Sequence, residues 1–213
     1  MTTTHYTPVE ELFNALSHGI GLIFSILALV LMLYSVTPTN DGWRLAASII
    51  YGSSLILLYS SSTLYHAVSN VRAKFRLRQL DHAAIFILIA GTYTPFTLIN
   101  LRGNWGIPLF SVIWGIAIAG VIIELATGLK HKKLSLALYL GMGWLVIVAI
   151  QPMLAHVDTE GLLLLLAGGL SYSLGVIFYA WKRLFMHHAI WHMFVLTGSV
   201  MHFLAVYYFV LPT

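Results

Sequence analysis

The sequence contains no cysteine and very little charge: 8% of its 213 residues are Asp, Glu, Lys or Arg. Without thiols the chain forms neither disulfides nor thiolate metal sites, so any bound metal must use nitrogen and oxygen ligands. The scarcity of charge excludes an ordinary soluble domain, because 59% of the residues are hydrophobic and the mean hydropathy is +0.88. We therefore expect the lipid bilayer to be the main solvent of this chain.

The few basic residues do not indicate a nucleic-acid partner. They give a formal net charge of +4, but they lie in short runs between apolar segments. That arrangement is typical of the cytoplasmic loops of a membrane protein. Residues 1–9 lack the charged segment, apolar core and cleavage site of a signal peptide, so we expect the first apolar segment to be retained as a helix.

Seven apolar segments are long enough to cross a bilayer as helices, which takes roughly 20 residues each. They cover about residues 16–37, 44–66, 81–101, 105–127, 134–155, 161–182 and 188–211. Turns rich in helix breakers separate them, and no long linker is present. The sequence therefore predicts an all-α membrane protein, with residues 1–213 forming a single seven-helix bundle.

The distribution of Lys and Arg predicts the orientation of the bundle. The second, fourth and sixth loops carry basic runs at residues 72–78, 130–133 and 182–183. The odd-numbered loops carry only Arg44 and Arg102 as basic residues. Because Lys and Arg are enriched in cytoplasmic loops, we expect the N-terminus in the cytoplasm and the C-terminus outside.

Four side chains able to bind a metal lie at the edges of the apolar segments. On the predicted topology, His66 ends the second span and Asp81 opens the third. His188 and His192, one turn apart on one helix face, open the seventh. All four then fall in one layer on the cytoplasmic side, where buried ionisable groups are costly without a function. Three histidine nitrogens are a common ligand set for catalytic zinc, so we predict a zinc ion held by the three histidines.

Asp81 and Ser62 are predicted to act beside this metal. Asp81 could hydrogen-bond a bound water or orient a histidine, and Ser62, one turn before His66, could hydrogen-bond that water or a substrate carbonyl. Alternatively, the histidines form ordinary interhelical hydrogen bonds and the serine serves helix packing. The coincidence of all these residues in one layer favours the metal.

Several short motifs, taken in order, resemble those of a known family. They are Glu11-x-x-Asn14-x-x-Ser17-His18, Ser62–His66, Leu80–His82, Gly91–Pro95 and His188–His192 with His202. The chain resembles the hemolysin III family, the bacterial branch of the progestin and adipoQ receptor superfamily, which is related to the alkaline ceramidases. The resemblance covers essentially the whole chain. It implies a zinc ion on the three histidines, with Asp81 and Ser62 nearby, in the cytoplasmic membrane of a bacterium, the inner membrane where there are two.

Asn14 and His18 allow two interpretations. In the first, Asn14 or Ser17 caps the first helix, while Glu11 suits the positive end of the helix dipole. In the second, Asn14 and His18, an i,i+4 pair on the cytoplasmic side, support the metal ligands from behind. The sequence alone favours neither.

Two more polar residues lie inside predicted spans. Glu124 is either a proton or ligand group or a carboxylate paired within the bundle. His202 is about 15 Å beyond His192 along a helix, too far for the same metal. We expect His202 to pack or to form a hydrogen bond.

Three functions compete. The first is a zinc-dependent intramembrane hydrolase of a lipid amide or ester, with Asp81 as general base and then acid, and Ser62 stabilising the oxyanion. The second is a non-catalytic sensor of membrane state with a structural zinc. The third is a hemolysin-like pore, disfavoured because the spans show no continuous polar stripe. The resemblance adds a role in membrane-lipid and fluidity homeostasis, so membrane lipids, including an amide, ester or fatty acid, are the expected partners.

Overall fold

The computed structural model of the protein describes residues 6–212. Within that range it contains α-helices joined by short turns and no strand. The helices are α1 (Pro8–Val36), α2 (Gly42–Ala67), α3 (Val71–Pro95), α4 (Gly106–Thr127), α5 (Lys132–Gly143), α6 (Ile150–His156), α7 (Thr159–Ala180) and α8 (His187–Phe209). A π-helical turn, Phe96–Asn100, continues α3, and 3-10 turns follow α1 at Thr37–Thr39 and join α5 to α6 at Leu145–Ala149.

Seven helical segments are long and apolar enough to cross a membrane, which confirms the predicted class of fold. The fifth crossing is a composite segment, Lys132–His156, in which the 3-10 turn interrupts two α-helices. The side of the membrane on which each terminus lies stays a prediction from the loop charges.

The first helix begins at Pro8, earlier than the apolar pattern indicates. Thr7 caps it, because its Oγ1 accepts from the Glu10 amide at 3.3 Å while its own amide donates to Glu10 Oε2 at 2.9 Å. Proline suits the first helical position, since its missing N–H would have no partner there. The interpretation of Asn14 or Ser17 as the cap is therefore wrong.

The third helix also begins earlier, at Val71 rather than near residue 81. Asn70 caps it by accepting hydrogen bonds from the amides of Arg72 and Ala73, both at 3.1 Å. The basic run 72–78 that reads as a loop thus forms about two helical turns. Asp81 consequently lies inside α3 and not at its opening.

The bundle is apolar outside and partly polar inside. Large side chains on the outer face of α1 are exposed, among them Ile23 at 63% and Val30 at 57%. The opposite face of the same helix buries Asn14, Ser17 and His18. This reversal of the soluble pattern is expected of helices in lipid, where polar groups find partners only within the protein.

Close helix packing depends on small residues, and Gly120→Ala is expected to destabilise the fold by about 1–3 kcal/mol. A Cβ at Gly120 on α4 would overlap Cε1 of Phe86, a ring that is itself buried in the core. Gly115→Ala on the same helix is the matched control, because a Cβ there meets nothing within 4 Å. Thermal unfolding of both variants in detergent measures the difference. Equal melting temperatures would show that the Phe86 contact yields freely.

Candidate metal centre

Three histidines from two helices meet in the interior of the bundle. His66 lies in the last turn of α2, and His188 and His192 lie in the first turns of α8. One ligand atom from each lies within 4.8 Å of those of the other two, and all three side chains are buried. The predicted convergence of these residues is therefore confirmed.

The partner of His66 decides which of its nitrogens is free. Its Nδ1 lies 2.6 Å from Oε2 of Glu11 on α1. A carboxylate only accepts hydrogen bonds, so Nδ1 carries the proton and donates it to Glu11. The lone pair is then on Nε2, which is buried without a hydrogen-bond partner among residues 6–212.

His192 is held in the same way by a serine. The Ser17 hydroxyl lies 2.9 Å from Nδ1 of His192 and donates to the Asn14 carbonyl oxygen at 2.9 Å. Because a carbonyl only accepts, the serine proton points to Asn14, and Ser17 Oγ accepts from His192 Nδ1. Nε2 of His192 again keeps a free lone pair, buried and without a partner in the described chain.

The donor set fits a metal ion. Besides the two free Nε2 atoms, both ring nitrogens of His188 are buried with no hydrogen-bond partner in the described part of the chain. Buried polar atoms without partners are rare and costly. Several unpartnered histidine nitrogens in one place therefore indicate a binding site for a ligand. Histidines bound to a metal almost always donate their second nitrogen to a carboxylate, carbonyl or similar acceptor, as His66 and His192 do here.

Asp81 and Ser62 lie side by side, and Ser62 is one turn before His66 on α2. Both are buried, and they are close enough to interact, although no hydrogen bond of regular geometry joins them. Ser62 Oγ has no hydrogen-bond partner within residues 6–212, and Asp81 forms no ion pair there. A buried carboxylate and a free hydroxyl are thus available beside the histidines, while their roles stay predictions.

His18 and Asn14 line the other side of the cluster. The His18 ring stacks on His192, with ring centroids 3.4 Å apart and planes inclined by 14°. Both His18 nitrogens and both polar side-chain atoms of Asn14 are buried without partners among the described residues. Asn14 also receives the Ser17 hydroxyl through its backbone oxygen. Both residues thus lie against the histidine cluster, and their support of a bound metal stays a prediction.

Sequence reasoning missed the roles of Glu11 and Ser17. It assigned Glu11 to the helix dipole and Ser17 to a cap, whereas each holds a histidine ring. The available signal was spacing: Glu11, Asn14 and His18 recur every three or four residues on a helix that is otherwise strongly apolar. A polar stripe of that kind in a membrane helix indicates a face turned toward functional groups.

Tyr6 and Lys74 complete the surroundings of the cluster. The Tyr6 ring centroid lies 4.9 Å from that of His188 and 5.9 Å from that of His66, so the ring covers the histidines. Its burial raises the pKa of the Tyr6 phenol, which stays neutral. Lys74 Nζ lies 2.9 Å from Oε1 of Glu11 and compensates the charge of that carboxylate.

Glu124 and His202 lie apart from the three histidines. Ser135 donates a hydrogen bond to Glu124, which identifies Glu124 as a carboxylate paired within the bundle. Nε2 of His202 lies 3.1 Å from the carbonyl oxygen of Leu165 on α7, which confirms the expected hydrogen bond. Neither residue belongs to the three-histidine cluster.

A largely apolar cavity lies within the bundle beside the cluster. Helices α3, α5, α7 and α8 supply most of its wall. His18 and Asp81 line it too, and His18 stacks on His192. A ligand in this cavity would therefore lie next to the groups that the histidines bring together.

Glu11→Gln is expected to weaken metal binding by about 10–100-fold, because the partners of metal-bound histidines contribute about that much to affinity. The amide also loses the charge that faces Lys74. Chelator competition on the purified protein measures the change. Glu160→Gln, an exposed carboxylate in the first turn of α7, is the control and should leave affinity unchanged. An unaltered affinity in Glu11→Gln would remove this carboxylate from the metal site.

Seven apolar helices around a buried group of three histidines define an integral, multi-pass membrane protein able to hold a metal ion through nitrogen ligands. Residues 6–203 match the family model described as Haemolysin-III related, and the chain belongs to that family. The resemblance seen in the sequence is thereby confirmed.

The relatives come from bacteria and animals. The chain is 46% identical to "Hemolysin-3" of Bacillus cereus, over 96% of this chain and 93% of that protein. It is 43% identical to "Hemolysin-3 homolog" of Bacillus subtilis (strain 168), over 96% of each. It is also 30% identical to "Monocyte to macrophage differentiation factor" of Homo sapiens, over 94% of this chain and 84% of that protein. The last match supports the link to the wider receptor superfamily.

Proposed function

We propose that this protein is a zinc-dependent intramembrane hydrolase of a lipid amide or ester, acting in membrane-lipid homeostasis. The observation that carries the proposal is a buried pair, Asp81 and Ser62, in which Ser62 lies one turn before His66 and Asp81 lines a largely apolar cavity. A purely structural metal would need neither a buried carboxylate nor a free hydroxyl next to it.

The histidines would hold the ion through three neutral nitrogens, two of them identified by the hydrogen bonds of His66 and His192. Zinc bound in this way supplies Lewis-acid activation of water and of a carbonyl at neutral pH. The Nδ1–H groups of His66 and His192 continue to donate hydrogen bonds to Glu11 and Ser17, so the rings keep their orientation during the reaction.

Asp81 and Ser62 would carry out the proton transfer and the carbonyl contact. Asp81 accepts a proton from water as the water oxygen bonds to the carbonyl carbon. Ser62 donates its hydrogen bond to the carbonyl oxygen, where negative charge develops. Asp81 then returns the proton to the leaving nitrogen or oxygen as its bond to the carbonyl carbon breaks. The products are a carboxylic acid and an amine or alcohol.

The surroundings suit a lipid substrate in a bacterial cytoplasmic membrane. Asp81, Leu88 and Ile89 on α3 line the same cavity, so a hydrocarbon chain can lie in it with a carbonyl near the carboxylate. The basic loops support a cytoplasmic N-terminus, which would put the metal centre near the inner surface. A fatty acid, as product or ligand, would occupy the same space.

A structural zinc in a sensor of membrane state is the second candidate. Helix α2 packs mainly on α1 and α3, and α8 packs mainly on α7. A metal between His66 and the two histidines of α8 would join elements that otherwise touch little. A pore is disfavoured, since the buried histidines and Asp81 cluster at one end of the helices instead of along a continuous path.

Metal analysis and lipid turnover of the purified protein test the proposal. We expect about one zinc per chain and hydrolysis of at least one lipid from a panel of amides and esters in detergent and in nanodiscs. Zinc-loaded protein that hydrolyses none of the panel would favour the structural metal. Conductance by the protein in a defined bilayer, absent from empty vesicles, would instead favour the pore.

A further inference from the structure

Three basic side chains from separate helical segments lie at or next to one end of the cavity and are here called the basic mouth. Lys132, the first residue of α5, lines the cavity itself. Lys182 follows α7, and its Nζ lies 4.2 Å from the ring centroid of Tyr179, which also lines the cavity. Arg78 lies on α3 one turn before His82, another residue of the cavity wall.

The basic mouth has no acidic partner among residues 6–212. The ion pairs in this range involve Arg44, His66 and Lys74, and none includes a residue of the mouth. Glu124 is near enough to act on Lys132 electrostatically, but it accepts a hydrogen bond from Ser135 and forms no ion pair. Arg78 likewise acts on Asp81 electrostatically, but no ion pair of the described chain engages any of the three cations, so all three can still meet an anion.

The cations also repel one another. Partial desolvation, followed by the charges of Lys132 and Arg78, lowers the pKa of Lys182 to about 8. Lys132 and Lys182 are nevertheless accessible from the membrane surface, so a headgroup can reach both. An anion bound between them would relieve the repulsion. Lys and Arg are generally enriched in loops on the cytoplasmic side. That enrichment alone does not require basic residues from three segments to meet at one cavity.

The cavity below the mouth has a long, largely apolar wall. Its wall on α3 runs from Asp81 to Tyr93, about 18 Å of helix rise. Ile85, Leu88 and Ile89 contribute apolar surface along this stretch. That depth exceeds half of the roughly 30 Å hydrocarbon core of a bilayer, so it suits a long acyl chain.

We propose that the cavity binds an anionic phospholipid, with its phosphate at the basic mouth and an acyl chain in the apolar part. Basic pockets between membrane helices near the membrane surface are suited to phosphate headgroups. Asp81 lies three residues after Arg78, about 4.5 Å further along the helix, so a carbonyl a few bonds from the phosphate reaches the carboxylate. Binding of the phospholipid does not depend on the proposed hydrolase activity. Only its turnover rests on the proposed function, and anionic phospholipids would then be the substrate class.

Competitive lipid binding to the zinc-loaded full-length protein tests the proposal. Native mass spectrometry would compare phosphatidylglycerol and phosphatidylcholine with identical acyl chains, each competing for delipidated protein in detergent. We expect preferential binding of phosphatidylglycerol. The variant Lys132→Gln/Lys182→Gln should weaken it by about fivefold for each lysine. Equal binding of the two lipids would overturn the proposal.

Matched variants separate the mouth from general surface charge. Lys130→Gln/Lys133→Gln removes two exposed lysines of the same segment that do not line the cavity, and it should bind phosphatidylglycerol like the wild type. Lys132→Arg/Lys182→Arg should also retain binding, which guards against a folding defect. Equal losses in both glutamine variants would overturn the site.

Two further measurements distinguish a lipid ligand from a soluble phosphate, and lipid binding from lipid hydrolysis. Glycerol 3-phosphate should compete poorly, because it lacks the acyl chain; competition equal to that of the lipid would identify a soluble phosphate ligand and overturn the lipid assignment. Asp81→Asn should keep the preference for phosphatidylglycerol. Selective binding without any turnover by the wild type would reject the hydrolase alone. Turnover of neutral lipids without anionic preference would reject this inference alone.

Discussion

Replacing Asp81 by asparagine is expected to lower lipid hydrolysis by about 10²–10⁴-fold, the usual contribution of a general acid–base group. Asparagine has nearly the same size and keeps a hydrogen-bonding oxygen, but it neither accepts nor returns the proton. The zinc content should stay at the wild-type value, because the group of potential ligands consists of the three histidines alone. Parallel measurement of zinc and of turnover on the same preparation checks both statements.

Two controls show whether the effect belongs to the site. Asp158→Asn removes an exposed carboxylate just before α7 and should leave turnover unchanged. Ser62→Ala should lower turnover by about 10²–10³-fold, the range for loss of one oxyanion donor. If Asp81→Asn kept both zinc and full turnover, the carboxylate would have no catalytic part. If Asp81→Asn abolished turnover but left membrane-lipid homeostasis intact in cells, the sensor of membrane state would be favoured.

Removing a metal ligand is expected to give the largest loss of stability. His192→Ala should lose the zinc and, with it, the stabilisation that a ligand confers on the folded state alone. That stabilisation is about 4 kcal/mol when free zinc stands a thousandfold above its dissociation constant. Thermal unfolding in detergent with and without a chelator measures it. The chelator should lower the melting temperature of the wild type and leave that of the variant unchanged.

His202→Ala is the matched control on the same helix. His202 is bonded to the Leu165 carbonyl and belongs to no group of potential metal ligands. Its removal should cost about 1 kcal/mol, the net worth of one hydrogen bond, with zinc content unchanged. A His192→Ala protein that retained its zinc would place the metal elsewhere. Equal chelator effects in the two variants would lead to the same conclusion.

The class of fold and the grouping of the histidines follow from local properties of the chain. Apolar length alone predicts the number of membrane crossings, since only a helix satisfies its own backbone in lipid. Alternating crossings then place His66 and the start of the seventh span on one membrane side. The i,i+4 spacing of His188 and His192 puts both rings on one helix face. Each of these inferences needs no knowledge of how the helices pack.

Helix ends and helix breaks depend on features that hydropathy does not carry. Thr7 and Asn70 start helices ahead of the apolar stretches, because capping hydrogen bonds and not lipid define those ends. The fifth span reads as one apolar segment, yet the turn Leu145–Ala149 divides it. An interruption of this kind arises from contacts with neighbours, such as the hydrogen bond from the Val146 amide to the Tyr93 hydroxyl at 2.8 Å.

The chemistry of the site arises from contacts between distant parts of the chain. Glu11 meets His66 across 55 residues and Ser17 meets His192 across 175. Those pairs depend on how each helix is rotated about its axis, and only packing against all the neighbours sets that rotation. The cavity arises in the same way, from helices that leave space between them. Composition and spacing thus establish a seven-helix membrane protein with three histidines in one layer, whereas packing selects the free nitrogens and forms the space beside them.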